Sequence, residues 1–193
     1  MDEATGEIGH GFSVDVVLRW EQTLRDAPTP RTRKVALRTA MVFGPGEGGV
    51  LDAFQSIVRR GLGGTLGPGT QYVSWIHIED FLRALDWLLE HPELDGAVNL
   101  AAPNPLPNRE MMRVLREVCG RRIGLPAARW MLEVGAVVLG TETELLLKSR
   151  RVVPGRLLAS GFQFRYPELR AAVEQAVGRE GRAERAGATE RAQ

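Results

Sequence analysis

The sequence predicts an α/β protein built on a parallel sheet that gives way, toward the C-terminus, to a mainly helical part. Three observations carry this. Short apolar runs alternate with amphipathic segments as far as Cys119, the order that strand-helix-strand units produce. The run from Val35 to Phe43 (VALRTAMVF) is apolar on both of its alternating faces, as a strand covered by helices on both sides must be. Beyond Pro126 strand signals thin out and helical spacing dominates.

The elements follow in order. Ser13 is placed to cap a helix reaching about Arg25, because Val14, Val17, Leu18 and Leu24 recur near helical spacing, with Asp15, Arg19, Glu21 and Gln22 on the other face. Pro28 and Pro30 end it. After the strand Val35 to Phe43 comes the turn GPGEGG, then a helix from Val50 to Arg60 that packs through Leu51, Phe54, Ile57 and Val58. Gly61 to Gln71 (GLGGTLGPGTQ) is a flexible glycine-rich loop. Tyr72 to His77 is a strand with Val73, Trp75 and His77 on one face and Tyr72, Ser74 and Ile76 on the other.

Phe81, Leu82, Leu85, Leu88 and Leu89 form the stripe of a helix from Glu79 to Glu90, stopped at His91 and Pro92. Ala97 to Ala101 is a short strand, and the prolines of Pro103 to Asn108 lead into a helix from Arg109 to Cys119 with Asn108 as its N-cap. Further on, Pro154 starts a short helix ended by Gly161, Phe162 to Phe164 reads as a small strand, and Pro167 starts a last helix through Leu169, Val173 and Val177. From Arg179 no large apolar residue remains, which predicts a solvated, mobile tail over 179–193.

Composition narrows the function. Basic and acidic residues nearly cancel to a net charge of +1, and the 23 arginines are interleaved with acids instead of forming a basic stripe, so nucleic acid is not expected as a partner. Cys119 is the single cysteine, which excludes an intrachain disulfide and a zinc cluster and fits a reducing cytoplasm. Apolar neighbours such as Val114, Leu115 and Val118 mark Cys119 as a buried, inert thiol. The opening MDEATGEIGHGF has no apolar signal core, and the longest apolar run, Trp130 to Leu139, is interrupted by Glu133 and too short for a membrane span.

Two loops invite a functional reading. Gly44, Gly46 and Gly49 have the spacing of a dinucleotide fingerprint between a strand and a helix, but Pro45 lies inside the tight turn and no acid ends the next strand at the expected distance. A loop that needs positive φ explains the same glycines. The segment from Gly61 to Asp80 runs a long loop into a strand bearing Trp75 and His77, the kind of junction where binding groups collect. Each of those two side chains fits either packing or substrate contact. Ser74 and His77 lie on opposite faces and make no nucleophile and base pair, and Asp80 suits the positive end of a helix. The residues name no catalytic acid or base and no metal ligands.

Four blocks carry a family resemblance: LRTAMVFGPGEGG, RRGLGGTLGPGTQYVSWIHIEDFLRAL, GAVNLAAPNPLPNREMMRVL and LLLKSRRVVPGRLLASGFQFRYPELRAAV. In this order, over about residues 10 to 178, the chain resembles the nucleoside-diphosphate-sugar epimerase family of the extended short-chain dehydrogenases, which has its own C-terminal domain. The resemblance implies the C-terminal portion of a Rossmann-like doubly wound parallel sheet followed by a small, mainly helical substrate-side domain. It divides the chain into an epimerase-domain remnant over 1–102, a substrate-side domain over 103–178 with its family-specific part over about 125–178, and the tail.

Such families carry a glycine-rich turn for NADP(H) and a Tyr-x-x-x-Lys pair for hydride chemistry. The tyrosines here are Tyr72 and Tyr166 and the lysines Lys34 and Lys148, so no such pair exists in the 193 residues. Residues 10 to 25 resemble the helix that follows the catalytic region, which implies that the chain begins downstream of it. By the same resemblance Arg38, Thr39, Met41 and Val42 pass the nicotinamide end of the cofactor, with Met41 standing where many sugar-nucleotide epimerases have Asn. Gln71, Trp75 and His77 line a substrate pocket, while Val73 and Ser74 stand where a phosphate-binding Arg is common.

The expectation is a C-terminal part of an epimerase-like NADP(H)-dependent oxidoreductase, inactive alone, or a non-catalytic binding module that keeps the fold; a self-sufficient enzyme with its cofactor on Gly44 to Gly49 is the third reading. An inner strand deprived of its neighbours leaves apolar side chains open, each forfeiting roughly 1.5–3 kcal/mol, and a few of them rival the whole stability of a domain. A complementary half or a homodimer is therefore the expected partner.

Overall fold

The computed structural model describes residues 1–6, 9, 11–125 and 148–178. Residues 126–147 of the family-specific stretch, including Trp130 to Leu139, and the tail over 179–193 lie outside the described residues. In chain order the elements are α1 (Phe12–Asp26), β1 (Val35–Thr39), β2 (Met41–Phe43), α2 (Val50–Arg59), β3 (Tyr72–Val73), β4 (Trp75–His77), α3 (Ile78–Glu90), β5 (Gly96–Leu100), β6 (Leu106–Pro107), α4 (Asn108–Val118) and α5 (Gly155–Ala159). A helical run over 169–178 follows.

The long apolar strand changes partner midway. β1 pairs in parallel with β5, Val35 opposite Gly96 and Thr39 opposite Leu100, whereas β2 pairs in parallel with β4, Met41 opposite Trp75 and Phe43 opposite His77. The handover lies at Ala40, whose N–H donates to the Leu100 carbonyl while the next N–H, of Met41, donates to Ser74. α2 and α3 are the crossover helices that parallel pairing requires. β3 and β6 form a short antiparallel ladder. Ser74 interrupts the predicted strand between β3 and β4, its hydroxyl donating to the Arg150 carbonyl at 2.7 Å and accepting from the Val152 N–H at 2.8 Å.

β4 is buried on both faces. Val73 and Trp75 enter a larger core with Phe43, Leu51, Phe54 and Met111, and Ile76 enters a smaller one with Leu88, Val98, Leu100 and Leu157; the alternation expected of this strand is present. The larger core also takes Leu169 and Val173, so it draws on both sides of the 102/103 boundary.

α1 departs from expectation. Gly11, not Ser13, is its N-cap, and Glu21 is its buried residue. Much of its apolar surface faces outward, with Phe12 at 83% and Trp20 at 70% exposure and Val17 and Leu24 also exposed, while Val14 and Leu18 are half-buried. Leu37 of β1 is exposed as well, and among the described residues no strand pairs with the second edge of β1.

Two further readings are corrected. α4 starts at Asn108 with Pro107 in the N-cap position and no side-chain cap bond, because the Asn108 carboxamide is engaged elsewhere. Phe162 to Phe164 form no strand; with no partner ladder in reach, the two rings pack edge to face at 4.8 Å against the smaller core. Pro154 does precede the short helix α5, and Gly161 closes it at a φ of +88°.

Candidate functional site

Open α/β sheets take ligands at the C-terminal ends of their parallel strands; Arg38 and Thr39 end β1 and His77 ends β4, whereas Met41 and Val42 open β2 opposite Trp75 and Ile76 of β4. Arg38 is committed within the chain: its Nε and Nη2 donate to Glu21 Oε1 and Oε2 at 2.7 and 2.8 Å, a bidentate pair between β1 and α1. That guanidinium holds the Glu21 carboxyl below the usual carboxylate range, and Glu21 raises Arg38 in return. Thr39 is exposed at the end of β1; Met41 is half-buried against the larger core and Val42 against the smaller.

The three pocket candidates all face inward. Trp75 stacks on Phe43 at 6.0 Å between ring centres and turns its indole N–H toward the Asn104 carbonyl at 3.4 Å. Gln71 is buried, and its Nε2 donates to the Leu66 carbonyl at 2.6 Å. His77 is wholly buried at the N-cap of α3. Its Nδ1 accepts from the Glu79 N–H at 3.2 Å, which assigns the proton to Nε2, the donor to Gln175 Oε1 at 2.9 Å. Gln175 Nε2 then donates to Glu79 Oε1 at 3.0 Å, closing a ring of polar contacts that docks the helical run 169–178 on β4 and α3. The Tyr166 ring covers the imidazole at 4.0 Å. A strand packed between two cores leaves these side chains no route to solvent.

The loop from Gly61 to Gln71 is tied to the start of α4. Asn108 Oδ1 accepts from the buried Leu66 N–H at 2.9 Å, Asn108 N–H donates to the Gln71 carbonyl at 2.8 Å, and Arg109 N–H donates to the Gly69 carbonyl at 2.9 Å. The loop thus caps the first turn of α4 with its own carbonyls, which satisfies donors that a helix start leaves open. Gly69 has a φ of +72°, and a Cβ there would stand 2.8 Å from Thr65 Cγ2, so only glycine fits.

The turn from Gly44 to Gly49 uses its glycines for geometry. Gly46 and Gly48 have φ of +114° and +78°, and a Cβ on Gly44 would stand 2.9 Å from Ile78. Gly48 N–H donates to Asp52 Oδ2 at 2.9 Å, so a carboxylate already occupies the first turn of α2 and would repel a pyrophosphate.

Sequence reasoning gave Asp80 too small a part. It is wholly buried and accepts from the backbone N–H groups of Arg165 and Tyr166, each at 2.8 Å, and from Arg83 at 2.8 Å. Gln175 was not singled out at all, and no local pattern marks it. Among the described residues no group of three His, Cys, Asp or Glu side chains is arranged for a metal, and no helix is long and apolar enough to cross a membrane.

Two family models match the chain: residues 21–101 match the NAD dependent epimerase/dehydratase family, and residues 127–176 match a domain of unknown function, DUF1731. Epimerase family protein SDR39U1 of Mus musculus is 36% identical over 167 residues, covering 86% of this chain and 55% of the relative. Epimerase family protein Mb2239 of Mycobacterium bovis is 35% identical over 175 residues, covering 90% and 56%. The crystal structure of human epimerase family protein SDR39U1 (isoform 2) with NADPH superposes with a TM-score of 0.79 at 33% identity, over 91% of this chain and 58% of that one. The nucleoside-diphosphate sugar epimerase from Corynebacterium glutamicum gives 0.72 at 27% identity, over 93% and 34%. The chain spans about half the length of the curated relatives it matches. These matches bear out the resemblance drawn from the four sequence blocks and the Rossmann-like fold it implies.

Proposed function

With residues 21–101 matching the NAD dependent epimerase/dehydratase family, we propose that this chain is the substrate-side part of an NADP(H)-dependent, epimerase-type oxidoreductase that works with a dinucleotide-binding half. The observation that carries this is the inverted helix α1: a glutamate is its buried residue while Phe12 and Trp20 stand in solvent, beside an edge of β1 that lacks a strand partner among the described residues. An apolar helix face and a bare parallel edge side by side match the surface a second α/β half would cover.

The human relative binds NADPH in its crystal structure. On this reading the backbone from Thr39 to Val42, where the sheet passes from β1 to β2, runs by the nicotinamide side of such a cofactor, while Arg38 positions α1 and the turn at Gly44 to Gly49 contributes no pyrophosphate site. The cofactor supplies the hydride. The Tyr and Lys of the usual proton relay are absent from the sequence, so the isolated chain is inactive, and residues 1–102 and 103–178 serve as sheet remnant and substrate-side domain in a cytoplasmic protein.

NADPH fluorescence tests the reading. The chain alone leaves the emission unchanged, and an equimolar dinucleotide-binding half of an SDR39U1 relative restores binding. Stoichiometric NADPH binding by the chain alone, or failure of the two halves to associate, refutes it. The alternative, a non-catalytic module, is favoured by one observation, the engagement of Arg38 by Glu21, and predicts association without NADPH binding.

A further inference from the structure

Beyond the sheet, the C-terminal end of α4 holds a concavity of about 540 Å³ lined by Arg113, Arg116, Glu117, Gly120, Arg121 and Arg122. The volume lies in the range of small-ligand sites. Four arginines against one glutamate make the lining strongly positive.

The acids nearby are already spent. Glu117 bonds to Arg170 and to Arg113, the latter at 2.7 Å, and Glu110 bonds to Arg113 at 2.9 Å; Arg170 first and then Arg113 hold the Glu117 carboxyl below its usual range. Arg116 reaches across to the Gly63 carbonyl, a neutral acceptor, at 2.5 Å. Arg121 and Arg122 are exposed, and neither side chain has a hydrogen bond or ion pair among the described residues. Among the described residues no carboxylate pairs with these three guanidinium charges. The negative end of α4 offsets only part of that, since its influence fades beyond the last turn.

The floor is firm. Leu125 N–H donates to the Gly61 carbonyl and Gly64 N–H to the Leu125 carbonyl, which fixes the chain after Arg122 on the pinned loop. A Cβ on Gly124 would meet the Gly63 carbonyl carbon at 2.4 Å, so the two segments lie in backbone contact.

We propose that this concavity binds a phosphate-bearing small molecule, with Arg116, Arg121 and Arg122 as its contacts. A single carboxylate would leave two of the three cations uncompensated, whereas a phosphate ester carries about two negative charges and several acceptor oxygens, and planar guanidinium forks match it bidentately.

The test uses the whole chain with inorganic pyrophosphate as probe, read by calorimetry and by NMR of the arginine side-chain N–H groups. Saturable, salt-sensitive binding that moves the Arg116, Arg121 and Arg122 resonances is expected, and R121Q/R122Q weakens it by roughly tenfold or more, the loss of one or two charge-assisted hydrogen bonds. Because those two side chains are exposed and bond to none of the described residues, the double variant keeps the wild-type melting temperature. Absence of saturable binding, or binding that survives the double substitution, overturns the proposal, as does a response to an acidic peptide where pyrophosphate gives none.

Discussion

Glu21 and Arg38 meet through two parallel hydrogen bonds, 2.7 and 2.8 Å long, that fasten an otherwise outward-facing helix to β1. Because the folded carboxyl titrates below its unfolded value of about 4.5, the pair stabilises the protein above that value and is lost as pH falls through the folded one. Glu21→Gln should cost about 1–3 kcal/mol at neutral pH, with the gap to wild type closing in acid. Urea unfolding at pH 7 and again at about pH 3, below the usual carboxylate range, checks this; an unchanged gap would show that the charge is not what holds α1.

Asp80 holds two backbone N–H groups of the segment that brings Tyr166 over His77. Asp80→Asn leaves one acceptor oxygen for those two donors and is expected to cost roughly 1.5–3 kcal/mol. Limited tryptic digestion should then cut after Arg165 sooner than in wild type.

Asn108→Ala removes the acceptor of the buried Leu66 N–H, at a cost of about 1–3 kcal/mol. Hydrogen exchange at Leu66 should accelerate while the α4 amides beyond the first turn keep their protection. Equal acceleration throughout α4 would mean that the asparagine serves the helix and not the loop.

Trp75→Ala empties the centre of the larger core and strips Phe43 of its stacking partner. A loss of about 3–5 kcal/mol is expected, read as a drop in the midpoint of denaturant unfolding.

Trp20→Glu should do the opposite of a core substitution. The side chain is exposed, so stability should stay within about 0.5 kcal/mol of wild type, whereas association with a dinucleotide-binding half should be lost. Analytical ultracentrifugation of the mixture reads the second effect and thermal melting the first.

Much of this architecture was legible in the residues because it rests on period. Alternation from Val73 to Ile76 told which side chains share a face, and the two cores sort them that way. Spacing also gave a helix from Ser13 to about Arg25, found at Phe12–Asp26, but spacing reports that a helix has two faces and not which one is covered, so the exposed apolar side chains of α1 came only from the structure. The change of partner at Ala40 depends on strands 35 and more residues away and leaves no local mark. Asn108 and Asp80 mislead for one shared reason: each sits where a helix-start rule applies, and each is drawn off by backbone donors 42 and 85 residues distant in sequence. Trp75 and His77 were singled out by their junction between loop and strand and Gln71 by resemblance; in the structure the polar atoms of all three turn to the chain itself, toward Asn104, Gln175 and Leu66.

The loop from Gly61 to Gln71, held at Leu66, Gly69 and Gln71, has already surrendered its freedom during folding. A molecule that lodges against it would meet a stiff surface and lose little affinity to ordering it. Discrimination among such molecules would then come from shape, since a wall that cannot adapt rejects whatever it does not already fit.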